Sequence, residues 1–357
     1  SGYNVGGSQS GQQLTPSVRG STANVQWNLD GGSITDLSSN SSSMYFNFDS
    51  FDQIQVTTGG GDVSVQSSGL AINLVTKSGS NNFKGTFNAT YENDATQGQN
   101  VTEELFNSGA GGFLSGNPLH KIGVYSIEAG GPIVKDKLWY WGSFDKQDIN
   151  VGIINFFDAT KGALCSDLVT AQKQNTLGTA ITYDNLDDVN KCLSNDQTII
   201  KDYNAKVNYQ LNQGNRFGYL FVSDGKVRNH RGADAVTQPE ATQRQFSPEP
   251  WHLPNQTHQL THTLIASDKL VFNNQVTFVD GGFFLDYQDV DQCGTSSYTG
   301  ATNPADYATG ARASAGCLWN TQALLNRTSS VASRSMQRSY QTERPTWEAK
   351  SDGTYFV

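Results

Sequence analysis

From Phe83 onwards, apolar and polar residues alternate with a period of two in segment after segment, and this pattern limits the fold more than any other feature. In FKGTFNATYE, for example, Phe83, Phe87 and Tyr91 fall on one side of an extended chain, and Asn88 and Glu92 fall on the other. Successive side chains of a β-strand point to opposite faces of its sheet. Each segment is therefore predicted to form a strand with one apolar and one polar face.

The connections between these segments alternate between short and long. Lys135-Asp136-Lys137, Asn212-Gln213-Gly214-Asn215 and Ser267-Asp268-Lys269 are the short ones, and long polar stretches separate them. Outer-membrane β-barrels have short turns at one rim and long loops at the other. A soluble β-sandwich also alternates, but it would not concentrate aromatic residues beside the short turns. The predicted strands lie at about 83–93, 121–134, 138–150, 199–211, 216–224, 257–266, 270–286 and 340–357.

The composition excludes several other classes of protein. Charged residues make up 16% of the chain, fewer than helical bundles and coiled coils contain. No run approaches the roughly 18 apolar residues of a membrane-spanning helix. The net charge of −9 disfavours nucleic acid as a partner. What remains is a β-rich protein with long polar loops.

The first 80 residues follow a different pattern. Short β-like pieces at 54–57 and 71–76 are separated by glycine-rich turns, and a Ser/Asn-rich loop precedes them. This region is predicted to form a small mixed α/β domain. The domain boundary is therefore placed between residues 80 and 81.

The four cysteines form two pairs, and each pair brackets one polar stretch. No two of them have the Cys-x-x-Cys spacing of zinc or redox sites. We expect two loop disulfides, which would place the protein in an oxidising compartment. The alternative is four free thiols in a cytosolic protein. The expected pairs are Cys165–Cys192 and Cys293–Cys317.

Several motifs together resemble those of TonB-dependent outer-membrane transporters, and most closely the Oar-like branch. They are VRG (18–20), LDGGSITD (29–36), FDSFDQIQVTTGG (48–60), INLVTKSGSNNFKG (72–85) and GGPIVKDKLWYWGSF (130–144). The fourth is similar to the passage from the plug domain to the first barrel strand. The fifth is similar to the turn between strands two and three.

This resemblance implies an all-β membrane fold in which a plug domain lies inside a barrel of about 22 strands. Residues 1–80 would be part of the plug, and residues 81–357 would be the N-terminal portion of the barrel, with about eight strands. An eight-stranded barrel has room only for its own side chains, so it could not enclose a plug. We therefore expect the chain to be a piece of a longer protein.

The resemblance also implies a function. The protein would take up a large solute across the bacterial outer membrane by rearranging the plug, without acting as an enzyme. Its partners would be outer-membrane lipid and a TonB-type energy-coupling protein that pulls on an N-terminal segment, with a surface lipoprotein as a further candidate. The alternative is a structural or adhesive surface protein that keeps the plug and barrel without transport. A secreted all-β enzyme is disfavoured because no nucleophile and base converge in the sequence.

Motifs that could carry other chemistry are weak. His258 and His262 have the spacing of a zinc pair, but Gln259 replaces the glutamate of that motif and the segment is predicted to be a strand. The triple glycine at 59–61 lacks the Lys-Ser/Thr of a phosphate-binding loop. We expect no catalytic residues, metal centre or cofactor. The acidic pairs Glu103/Glu104 and Asp187/Asp188 are expected to be solvated loop charges, although an acidic loop is also a candidate for binding calcium.

Aromatic residues in the predicted external loops are the candidates for binding the solute, because exposed rings stack on sugars and apolar ligands. The short turn at 135–137 is followed by a second aromatic cluster, expected near the membrane interface. There the alternation directs Tyr140 towards lipid and Trp139 and Trp141 inwards. The solute-binding candidates are Met44, Tyr45, Phe46, Trp251, His252 and Trp319.

Overall fold

A computed structural model of the chain describes residues 3–4, 7–8, 25–36, 41–58, 69–98, 102–108, 117–246, 255–288, 324–325, 327, 331–333 and 340–357. The β-strands, in chain order, are β1 Tyr3–Asn4, β2 Gly7–Ser8, β3 Val25–Leu29, β4 Gly32–Ser33, β5 Phe51–Thr58, β6 Leu70–Thr76, β7 Lys84–Asn93, β8 Leu119–Val134, β9 Leu138–Phe157, β10 Leu193–Asn212, β11 Asn215–Arg231, β12 Gln243–Phe246, β13 Asn255–Ser267, β14 Leu270–Tyr287, β15 Leu324–Leu325, β16 Ala332–Ser333 and β17 Tyr340–Tyr355. The α-helices are α1 Glu103–Asn107, α2 Ala163–Lys173, α3 Leu177–Ala180 and α4 Leu186–Lys191.

Nine strands form one antiparallel sheet, which we call the wall. Its order is β12-β14-β13-β11-β10-β9-β8-β7, and β17 pairs with β14. All eight predicted strands are present in it, and each pairs with its neighbour in the chain, as in a barrel built of successive hairpins. The ninth, β12, is a short strand that pairs with both β11 and β14. The predicted fold class is therefore confirmed.

One face of the wall carries exposed apolar side chains, as a surface in contact with lipid requires. Phe144 and Tyr203 pair across β9 and β10 with ring centroids 5.1 Å apart, and Phe278 and Trp347 pair across β14 and β17 at 4.5 Å. We call this the outer face. Other exposed apolar side chains on it are Phe87, Ile127, Val207, Tyr219, Leu260 and Val276.

The stretch between β9 and β10, predicted to be a loop, contains the helices α2, α3 and α4. A disulfide joins Cys165 to Cys192, which confirms the first predicted pair. Leu168, Val169 and Val189 pack in a small core with these cysteines. We call residues 158–192 the helical module. Among the residues that the structure describes, no helix is both long enough and apolar enough to cross a membrane.

A four-stranded sheet in the order β4-β3-β6-β5 belongs to the N-terminal region, where β3 runs parallel to β6. We call its described residues, 25–36, 41–58 and 69–80, the plug. The plug core is continuous with the wall, because apolar residues of both pack in one cluster. That cluster contains Trp27, Ile34, Met44 and Leu74 of the plug and Leu220, Val222 and Val279 of the wall.

Candidate functional site

The plug meets the wall first at the tip of the hairpin that joins β3 to β4. Asp30 and Gly31 both have positive φ values, 45° and 84°, as a tight two-residue hairpin turn requires. A Cβ atom on Gly32 would collide with the side chains of Thr277 and Gln259 in the wall. The Asp-Gly-Gly sequence therefore allows both the turn and the close approach to the wall.

Polar side chains of the wall hold this hairpin tip. Lys206 Nζ lies 2.9 Å from Asp30 Oδ2, and both groups are largely buried. Gln259 Nε2 and Gln275 Nε2 donate to the backbone carbonyls of Leu29 and Asp30, each at 2.9 Å. Strands β10, β13 and β14 thus bind the same turn. Two further contacts come from β17, where Glu348 Oε2 accepts from the Ser33 N–H at 2.8 Å and Lys350 donates to the Gly31 carbonyl.

The plug loop 41–50 makes the second contact with the wall. The Tyr45 N–H donates to Asp224 Oδ2 at 3.0 Å, and the Tyr45 hydroxyl accepts from Gln245 Nε2 at 3.2 Å. Lys226 Nζ lies 4.9 Å from the centre of the Tyr45 ring. Burial raises the pKa of the Tyr45 hydroxyl, and the nearby Asp224 carboxylate raises it further. The tyrosine is therefore a neutral group in this interface at physiological pH.

This arrangement corrects the expectation that Met44, Tyr45 and Phe46 project outwards. Met44 is fully buried in the shared core, and Phe46 packs on Trp27 and Phe51. The physical reason is that the wall supplies both an apolar surface and hydrogen-bond partners for this loop. A role for the triplet in binding solute remains a prediction.

Asp145 of β9 is the centre of a third contact. Its two oxygens accept from Asn47 Nδ2 at 3.1 Å and from Ser50 Oγ at 3.0 Å. Ser50 Oγ also lies 3.1 Å from Ser143 Oγ on the same strand, and Asn204 Nδ2 donates to Ser143 Oγ at 2.9 Å. This network fastens the end of the plug loop to β9 and β10.

The aromatic cluster after the first short turn divides between the two faces of the wall. Trp141 is buried and its Nε1 donates to Glu128 at 3.3 Å, while Trp139 Nε1 donates to Asn81 Oδ1 at 2.7 Å. Glu128 also pairs with Lys77 of the plug at 2.7 Å. Both indoles therefore lie on the side of the plug. Tyr140 lies between the two tryptophans in sequence. Because side chains alternate along a strand, it points to the opposite face of the wall, where it is half-buried.

Three acidic residues line up on the inner face of the wall. In the strand register Asp202 is directly opposite Asp145 on one side and Asp224 on the other. All three are buried. Asp145 and Asp224 accept hydrogen bonds from the plug, whereas neither oxygen of Asp202 has a hydrogen-bond partner among the described residues.

A polar cavity of about 430 Å³ lies between the hairpin tip and strands β10, β11 and β13. Its lining includes the paired charges Asp30 and Lys206, the guanidinium of Arg216, and the hydroxyls of Thr261 and Thr263. A polar space of this size beside the hairpin tip has room for several water molecules.

Other predicted residues lie away from this interface or outside the described structure. His258 and His262 are on the outer face beside aromatic rings, and His262 stacks on Phe217 at 4.4 Å. Within the described ranges, no group of three or more His, Cys, Asp or Glu side chains is arranged to hold a metal ion. The predicted residues outside the described ranges are Gly59, Gly60, Gly61, Trp251, His252, Cys293, Cys317 and Trp319.

Sequence reasoning missed the wall residues that bind the plug. Lys206 and Asp145 alternate with apolar residues along their strands, so the pattern marked them as inward and polar, but it could not pair them with the plug. Phe48, which is 65% exposed on the plug loop, is a further exposed aromatic outside the predicted set. The sequence feature that could have identified Phe48 is its position two residues after Phe46.

An antiparallel wall with an apolar outer face and a small domain bound to its polar inner face is the architecture of a plugged outer-membrane β-barrel. The chain is 38% identical over 82 residues to the TonB-dependent transporter Oar of Myxococcus xanthus, which confirms the resemblance seen in the sequence. The matched stretch is 22% of this chain and 7% of that protein. No protein-family model matches the chain.

Solved structures with a similar arrangement include two outer-membrane proteins. The outer membrane transporter YddB from Escherichia coli is 11% identical, with a TM-score of 0.47 over 75% of this chain and 32% of that chain. A mutant of the ferric enterobactin receptor from Pseudomonas aeruginosa is 12% identical, with a TM-score of 0.46 over 78% of this chain and 36% of that chain. The chain thus spans about a third of the length of either structure.

Proposed function

We propose that this protein takes up a large solute across the bacterial outer membrane, driven by a TonB-type protein and gated by movement of the plug. The observation that carries this proposal is the way in which the plug is attached. Three ion pairs and a set of hydrogen bonds surround a shared apolar core, so the attachment includes many polar contacts that water can replace. The ion pairs are Asp30–Lys206, Asp36–Arg344 and Lys77–Glu128.

A polar interface of this kind suits a domain that must leave and return. Hydrogen bonds inside a protein contribute only about 0.5–1.5 kcal/mol each, because water replaces them when they break. Breaking these polar contacts would therefore cost little, and the main cost of displacing the plug would be exposure of the shared apolar core. The polar cavity beside Lys206 also supports movement of the plug, because it gives the hairpin space to move.

The resemblance to the Oar-like branch supports the remaining parts of the proposal. A TonB-type partner would pull on an N-terminal segment of the plug, and the plug would move without covalent chemistry, so no cofactor is needed. The solute would bind at the outer end, where Trp251, His252 and Trp319 remain candidates, and Phe48, which is exposed on the plug loop, is a further candidate. A surface lipoprotein and a calcium ion bound by an acidic loop also remain candidates.

A reversible tether between plug and wall tests the proposal. Ser50 Oγ of the plug and Ser143 Oγ of the wall are 3.1 Å apart, so cysteines at these positions are well placed to form a disulfide. We expect oxidised S50C/S143C to lose uptake and reduction to restore it, because the tether holds the plug in place. The measurement is the depletion of peptides and oligosaccharides from a mixed digest by cells, followed by mass spectrometry.

The controls are the single variants S50C and S143C under the same oxidising and reducing conditions, together with cells that lack TonB. Depletion that depends on this protein but continues in the oxidised double variant would contradict gating by the plug. Depletion unchanged without TonB would contradict energy coupling. A protein that is abundant on the surface yet depletes nothing would instead support the structural or adhesive alternative.

A further inference from the structure

Two lysines face each other on the outer face of the wall. Lys146 of β9 and Lys201 of β10 are direct cross-strand partners. Residues directly opposite in an antiparallel pair have Cβ atoms about 5 Å apart. The two lysine side chains thus start from neighbouring points on adjacent strands.

The orientation of these lysines follows from their neighbours in sequence. Asp145, next to Lys146, is buried and bonded to the plug. Ile200 and Asp202, on either side of Lys201, are also buried on the inner face. Because side chains alternate along a strand, both lysines point away from the plug.

The lysine pair lies immediately beyond the apolar band. The next row of the outer face towards the short turns contains Ile127, Phe144 and Tyr203. In the row of the lysines, Tyr125 is the partner of Lys146 on β8, and Gly225 is the partner of Lys201 on β11. The lysines are therefore on the long-loop side of the band, with a tyrosine as the register partner on one flank and a glycine on the other.

The charges in this region do not balance. Like charges directly opposite each other destabilise a sheet, and neither Lys146 nor Lys201 has an ion-pair or hydrogen-bond partner among the described residues. The nearest carboxylate on the same face is Asp148, and it is already paired with Lys121 at 2.7 Å. In a chain with a net charge of −9, this is a local excess of positive charge.

We propose that Lys146 and Lys201 bind a phosphate group of an anionic glycolipid in the outer leaflet of the membrane. A phosphate between the two ammonium groups removes their repulsion and accepts charge-assisted hydrogen bonds from both. The acyl chains of the same lipid then lie along Ile127, Phe144 and Tyr203. The site rests on the outer-membrane placement in the proposed function, but it requires neither transport nor movement of the plug.

Native mass spectrometry of the purified full-length chain in detergent tests this site. The probes are bis-phosphorylated lipid A, the same lipid after removal of its phosphates, and inorganic phosphate. We expect the wild-type protein to retain phosphorylated lipid A and K146Q/K201Q to bind it on the order of 30-fold more weakly. The matched control K135Q/K137Q removes two exposed lysines from the short turn that precedes β9, on the other side of the apolar band, and is expected to bind normally.

K146R/K201R is expected to retain the lipid, because it keeps both charges. Equal retention of phosphorylated and dephosphorylated lipid by the wild-type protein would overturn the proposal, and this comparison needs no variant. Equal loss of binding in K135Q/K137Q would also overturn it, since charge alone would then explain the effect. Displacement of the lipid by inorganic phosphate at equal concentration would assign the site to free phosphate and overturn a lipid site. The plug tether reports on gating separately, so failure of one proposal does not imply failure of the other.

Discussion

Asp202 is the least satisfied residue on the inner face of the wall. It is buried between Asp145 and Asp224 in the strand register, and neither of its oxygens has a hydrogen-bond partner among the described residues. An unpartnered buried polar group costs about 1–3 kcal/mol, and neighbouring like charges add to that cost. The two flanking carboxylates belong to the plug interface, so Asp202 affects the stability of the whole site.

We expect Asp202→Asn to raise the free energy of unfolding by about 1–3 kcal/mol. The substitution removes a buried acid flanked by two other acids and introduces N–H donors beside them. The measurement is urea unfolding in lipid vesicles, followed by tryptophan fluorescence.

Asp145→Asn makes the same chemical change one strand away and should have the opposite effect. Its oxygens accept from Asn47 and Ser50 of the plug, and the amide nitrogen that replaces one of them cannot accept. If both substitutions stabilised the protein, or both destabilised it, the difference in hydrogen bonding between the two sites would not explain their stability.

At the scale of elements, the helical module is joined to a neighbouring loop by one glutamine. Gln172 of α2 is buried, and its Nε2 donates to the carbonyls of Asn155 at 2.7 Å and Ala235 at 2.6 Å. Its Oε1 accepts from Gln238 at 2.5 Å. This side chain therefore links β9, the helical module and the loop after β11.

We expect Gln172→Glu to destabilise this junction by about 3 kcal/mol, because both donors are lost and a carboxylate then faces two carbonyl oxygens. Limited proteolysis should show faster cleavage in the segments 158–192 and 232–242. Gln174→Glu makes the same substitution at an exposed position of the same module and should leave cleavage unchanged. Equal sensitivity of the two variants would mean that charge in the module, and not the buried junction, controls its stability.

At the scale of the whole molecule, the wall separates two environments. Leu260 on β13 is 53% exposed on the outer face, while Thr263 on the same strand lines the polar cavity on the inner face. We expect Leu260→Arg to lower the free energy of unfolding in a bilayer by about 2–4 kcal/mol, because the guanidinium must enter hydrocarbon.

Thr263→Arg should cost less than half as much, since the cavity can hold the side chain with water. The measurement is urea unfolding in vesicles of both variants and the wild-type protein. Similar costs for the two substitutions would contradict the assignment of the outer face to lipid.

The wall was predictable because its signal is local. The period of two that assigns Tyr203 and Val207 to one face is contained in a single strand, and a strand buried on one side can pair in only one register without exposing its apolar face. The short turns are also local, and each of them joins two consecutive strands into a hairpin, so they set which strands are neighbours. The helical module was missed although Cys165, Leu168, Val169 and Gln172 have helical spacing, because the polar composition around them suggested a loop.

The sequence by itself determined the alternating strands, the short turns, the first disulfide pair and the side of the wall on which Tyr140 and Trp141 lie. Only the tertiary structure decided that Met44 is buried, that Lys206 pairs with Asp30, and that Lys146 faces Lys201. The physical reason is distance along the chain. Alternation and turn chemistry act between neighbours, whereas these contacts join residues on separate strands or domains, and they form only when the plug and the wall come together.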